Sequence, residues 1–158
     1  MIYLLTGPIG TGKTTQLTKW VAQQQQVAGI LAPVRAGKRH LQDITSGEAK
    51  ILEASPTTQQ KIQVGRYTFD EAVFAWARVC LQEAIEKLPR YLIIDEIGKL
   101  ELRQEGLEPA VTEVLQAYQQ QVSFDLILVI RDTLLEKSIA HYTLTMFCLG
   151  LPPADKNL

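Results

Sequence analysis

A chain of 158 residues with an ordinary apolar content is the size of one domain with a substantial core, expected here over residues 1–158. Its net charge of −1 excludes the electrostatic footprint of a nucleic-acid or membrane-surface protein, so neither partner is expected. Cys80 and Cys148 have no metal-type spacing and lie in apolar settings, which reads as two buried thiols in a reducing compartment. Met1 leads at once into a strand and no apolar run has the length of a membrane span, so the expectation is a soluble, cytoplasmic protein.

In chain order, the apolar stretch Ile2-Tyr3-Leu4-Leu5 feeds Gly7-Pro8-Ile9-Gly10-Thr11-Gly12-Lys13-Thr14, a complete phosphate-binding loop that opens into a helical pattern. Gly7 and Gly12 let the backbone wrap tightly, so that successive N–H groups meet phosphate oxygens at a helix N-terminus. The Lys13 ammonium suits the β- and γ-phosphates, and the Thr14 hydroxyl suits Mg²⁺, a hard cation that prefers oxygen. The helix is expected from Lys13 through Leu17, Trp20 and Val21 into Gln23 to Gln26, with Gly29 stopping or turning the chain. A strand over Ile30 to Val34 and a basic loop from Arg35 to Arg39 follow. Leu41 to Ile44, Ala49 to Leu52 and Lys61 to Val64, separated by Gly47 and Pro56, read as short antiparallel strands inserted after the second strand.

Thr68 with Glu71 makes a capping box, and Val73, Ala77, Cys80, Ala84 and Leu88 keep helical spacing until Pro89. Tyr91-Leu92-Ile93-Ile94-Asp95-Glu96 is a continuously apolar run ending in two carboxylates, as a central parallel strand reads. An Asp at the end of such a strand holds Mg²⁺ beside the loop threonine, which makes Asp95 the second metal candidate after Thr14. Glu96, at a frayed strand end, is the candidate for polarising an attacking water. A third strand, Phe124 to Ile130, ends in Arg131, on the edge where ligands of open α/β sheets bind, and Leu144 to Leu149 offers a fourth. Arg131, Arg35 and Arg39 read equally well as phosphate contacts or as solvated arginines, and His40 and His141 as structural or exposed.

The loop through Thr15, the phrase Val64-Gly65-Arg66-Tyr67 and above all Ile94-Asp95-Glu96-Ile97-Gly98-Lys99-Leu100-Glu101-Leu102 resemble the THEP-type nucleoside triphosphatases, over the chain from its first strand to about Arg131. The resemblance implies an α/β fold of three layers around a mostly parallel, ASCE-type, RecA-like sheet. It also implies hydrolysis of ATP, GTP and a range of other nucleoside triphosphates, with Asp95, Glu96, Ile97, Gly98 and Lys99 in the nucleotide site. The segment from Pro33 to Ser55 is shortened and loosely matched to the family pattern, and the resemblance implies no role for Leu151-Pro152-Pro153.

The expected chemistry uses the loop N–H groups and Lys13 on the phosphates, Mg²⁺ on Thr14 and Asp95, Glu96 on the water, and an arginine from Arg131, Arg35 or a neighbouring subunit. Two alternatives share the loop. A small-molecule or nucleoside-monophosphate kinase would need an acceptor pocket, for which Arg35, Lys38 and Arg39 are available. A GTP-dependent switch is suggested by Asp95-Glu96-Ile97-Gly98, but no Asn-Lys-x-Asp base-reading phrase follows Phe124 to Ile130. A protein partner or a homo-oligomer stays open.

Overall fold

The computed structural model describes residues 1–120 and 123–154. Its elements are β1 (Ile2–Gly7), α1 (Lys13–Ala22), β2 (Val27–Leu31), β3 (Val34–Arg35), β4 (Lys38–Asp43), β5 (Ala49–Ile51), β6 (Lys61–Val64), β7 (Tyr67–Asp70), α2 (Glu71–Glu86), β8 (Tyr91–Ile97), α3 (Lys99–Leu102), α4 (Ala110–Gln120), β9 (Asp125–Arg131), a 3-10 turn (Asp132–Leu134), α5 (Leu135–His141) and β10 (Cys148–Leu149). The main sheet runs β10-β1-β9-β8-β2-β4-β3. Its neighbours from β10 to β2 are parallel, and β4 turns the edge antiparallel, pairing with β2, β3 and β5. This is the expected three-layer, RecA-like arrangement, with β9 lying between the loop strand β1 and the carboxylate strand β8.

Side chains of successive strand residues point to opposite faces, so the sheet sorts its residues by parity. Ile2, Leu4, Ala28, Ile30, Leu92, Ile94, Leu126 and Leu128 pack on the face covered by α2 and α4. Leu5, Leu31, Tyr91, Ile93, Ile127 and Val129 pack on the other face, against Leu17 and Trp20 of α1. A strand buried on both faces is apolar throughout, which is why the Tyr91 and Phe124 runs were readable. Burying each such side chain contributes about 1.5–3 kcal/mol.

Several expectations are corrected. The first helix ends at Ala22, because Gln26 takes a φ of 57° and its carbonyl accepts from Arg90 N at 2.8 Å, starting the β2–β8 ladder early. Gly29 therefore lies inside β2, paired with Ile93, and neither stops nor turns the chain. The strand read over Ile30 to Val34 ends at Leu31, and Val34–Arg35 pairs instead with Arg39 and Lys38 around Ala36 and Gly37. The second helix is capped by Asp70, whose carboxylate accepts from Ala72 N at 3.0 Å, because the β6–β7 hairpin keeps Thr68 in a strand; it ends at Glu86 and leaves Leu88 exposed. Cys148 lies exposed on the edge strand β10, whereas Cys80 is buried. The tail is packed: Gly150 N donates to Leu4 O at 2.8 Å, Leu151 rests on the α1 side of the sheet, and the Trp20 indole donates to Pro152 O at 3.1 Å. Among the described residues no helix is long and apolar enough to cross a membrane.

Candidate active site

The loop between β1 and α1 turns on Gly12, whose φ of 76° is a left-handed conformation and whose position is the N-cap of α1. No side chain caps this end, so the first backbone donors of α1 are left for an external acceptor. Lys13 lies folded over the loop, its Nζ donating to Gly7 O at 3.0 Å and Pro8 O at 2.9 Å. Thr11 Oγ1 donates to Pro8 O at 2.7 Å, while Pro8, Ile9, Gly10 and Thr15 are exposed.

Parity places Asp95 on the same face as Ile93, which is the face of α1. There Thr14 Oγ1 donates to Asp95 Oδ2 at 3.0 Å across 81 residues of chain, and Ala32 N donates to the same oxygen at 3.0 Å. Oδ1 is buried with no partner. Burial pushes the Asp95 carboxyl up to about 6; the bonds from Ala32 and Thr14 work against this, Glu96 adds to it, and the Arg39 charge opposes it.

Beyond Asp95 the β8–β9 register slips: Asp95 faces Val129 and Ile97 faces Ile130, leaving Glu96 as an extra residue. Without that bulge Glu96 would follow Leu92 and Ile94 into the core under α2; with it, Ile97 takes that place and is fully buried. The second carboxylate is thus re-aimed by a bulge, where fraying of the strand end was expected. Glu96 Oε1 lies 3.7 Å from Arg131 Nη2, and Arg131 pairs in the β1–β9 ladder with Gly7, where the loop leaves the sheet. The Arg131 Nε is buried with no partner.

Glu101, three residues past Gly98, closes the β8–α3 turn. Its Oε1 accepts from Gly98 N at 2.8 Å and its Oε2 from Leu107 N at 3.0 Å. Burial raises this carboxyl to about 7, against those bonds and with help from the charge of Glu108. A folded-state proton that the unfolded chain releases near 4.5 makes stability greatest below that pH and drains it as pH rises through 7. The loss is expected to be about 3 kcal/mol, or roughly 6–12 °C in Tm. Thermal melts from pH 5 to 8 should show this slope in the wild type and a flatter one in Glu101→Gln; parallel slopes would rule out Glu101 as its source.

The structure thus brings Lys13, Thr14, Asp95, Glu96 and Arg131 together at the carboxyl edge of β1, β8 and β9. Gly98 and Lys99 lie beside them, lining a cavity of 190 Å³ that Glu96 and Arg131 also border. Ile97 is buried in the core and Arg35 is turned away, donating to Gln42 Oε1 at 2.8 Å. Sequence reasoning missed Ala32 as an Asp95 donor and Glu101 as the brace of the turn, and gave the Val64–Tyr67 phrase no place in space. That phrase lines the cavity.

A phosphate-type loop on β1, a carboxylate pair on β8 and one strand between them define the RecA-like class of P-loop proteins. Residues 2–143 match the family model described as NTPase, and the chain belongs to that family. The crystal structure of THEP1 from the hyperthermophile Aquifex aeolicus shares the fold, with a TM-score of 0.69 and 24% identity, over 100% of this chain and 94% of that one. No curated protein matches the chain.

Proposed function

We propose that this member of the NTPase family is a Mg²⁺-dependent hydrolase of ATP and GTP, releasing the diphosphate and phosphate. The observation that carries the proposal is the Thr14–Asp95 contact with Glu96 next in sequence on a bulge. Backbone donors at the start of α1 and the ammonium of Lys13 would hold the phosphates, with Gly7 to Thr15 forming the cradle. The unpartnered Oδ1 of Asp95, next to the Thr14 hydroxyl, is a donor set of hard oxygens that fits Mg²⁺. When bound, the ion would neutralise charge on the β- and γ-oxygens and keep the Asp95 carboxylate ionised. Glu96 accepts a proton from the attacking water, and Arg131, whose Nη2 is near it, faces the charge that develops on the γ-phosphoryl oxygens.

The test is phosphate release from ATP and GTP with and without Mg²⁺. Lys13→Ala is expected to weaken nucleotide binding by about tenfold or more, the loss of a charge-assisted contact. Titration with a fluorescent ATP analogue measures it, and unchanged affinity would remove Lys13 from the cradle. Wild-type protein that binds ATP and releases no phosphate would sink the hydrolase reading.

A further inference from the structure

The cavity beside Glu96 is not lined by any residue of the phosphate loop. Its walls are Leu41, Leu52, Val64, Phe69, Phe74 and Leu107, contributed by β4, the chain after β5, the β6–β7 hairpin, α2 and the turn after α3. Its charged lining is Arg39, Arg66, Lys99 and Arg131 with Glu96 and Glu101. Glu96 is near Arg131, and both oxygens of Glu101 are held by backbone N–H groups, so the cations are in excess. Arg131 also carries a buried Nε with no partner. A buried guanidinium donor without an acceptor, at the edge of an apolar chamber, is a feature that a ligand completes.

We propose that this cavity is a binding site, separate from the phosphate cradle, for a small organic anion built on one aromatic or heteroaromatic ring. Its volume of 190 Å³ exceeds the ~150 Å³ apolar cavity that admits benzene, leaving room for a ring and a compact head group. The ring lies against Phe69, Phe74 and the leucines, and the anionic head meets Arg131 and Arg39. The proposal rests on the hydrolase reading for one point only. The phosphate loop contributes no residue to the cavity lining, so a nucleotide held by that loop and the anion in the cavity bind together.

Phenyl phosphate is the probe, titrated into the full chain by calorimetry with saturating Mg²⁺–ADP, against inorganic phosphate and benzyl alcohol as its charge-only and ring-only halves. Phenyl phosphate is expected to bind at least tenfold more tightly than either half. Val64→Trp, which fills the chamber from a half-buried hairpin position, should weaken the probe more than tenfold. Arg66→Ala, on the exposed hairpin, should weaken it about two- to fivefold. Neither should change ADP affinity. Lys13→Ala, which weakens ADP binding, should keep the probe. No binding in the presence of ADP, displacement by ADP, loss in Lys13→Ala, or equal affinity for inorganic phosphate would each overturn the proposal. A failed hydrolase reading would show separately, as ATP bound without phosphate release.

Discussion

Glu96→Gln is expected to lower phosphate release about 10²- to 10⁴-fold while nucleotide affinity stays within about twofold. The substitution keeps the shape of the side chain and removes its ability to accept a proton. The bulge that sets Glu96 apart from the core is backbone geometry and survives the change. The pair with Arg131 loses its charge, but at 3.7 Å and with both side chains partly exposed that pair contributes little stability. Steady-state phosphate release and a parallel binding titration measure the two quantities. Hydrolysis at the wild-type rate would take Glu96 out of its role, and a loss confined to affinity would make it a binding residue.

Gly29→Ala is expected to be the most damaging single-methyl change in the chain. Gly29 pairs with Ile93 in the middle of the sheet at a φ of 121°, in the region that side chains avoid. A Cβ there would run into the Ile93 carbonyl oxygen and come within 2.7 Å of the Ile93 nitrogen and 2.9 Å of its carbonyl carbon. These are backbone atoms in a two-sided core, so no rotamer change relieves the clash and β2 must move away from β8. A loss of at least about 4 kcal/mol is expected, which for this size lowers Tm by roughly 8–16 °C. The movement also carries Ala32 N away from Asp95, so surviving protein should bind nucleotide poorly. A melt within 2 °C of wild type would contradict the argument.

What the sequence made legible was local chemistry and unbroken period. The loop from Gly7 to Thr14 is contiguous, and the runs at Tyr91 and Phe124 are apolar throughout because they are buried on both faces. Gly29 was misread because a glycine after a polar stretch looks like a stop; the requirement that it meets comes from Ile93, 64 positions along the chain. Thr68 and Glu71 fit the capping box, but the hairpin continues to Asp70 and Glu71 turns to Arg78 at 2.7 Å. The bulge at Glu96 leaves no mark in residue type, since it is defined by the partner strand. α4 and α5 went unread between clearer signals. The cavity draws on several distant segments, and no single stretch announces it.

The two faces of the sheet are clad unequally. α2 and α4 share one, whereas α1 has the other, with the chain's last described residues drawn across its end by the Trp20–Pro152 bond. The helix that begins at the cradle is therefore anchored at its far end by the tail. A ligand at the start of α1 and the tail at Pro152 thus hold the same short helix at its two ends, and any coupling between them is equal in both directions.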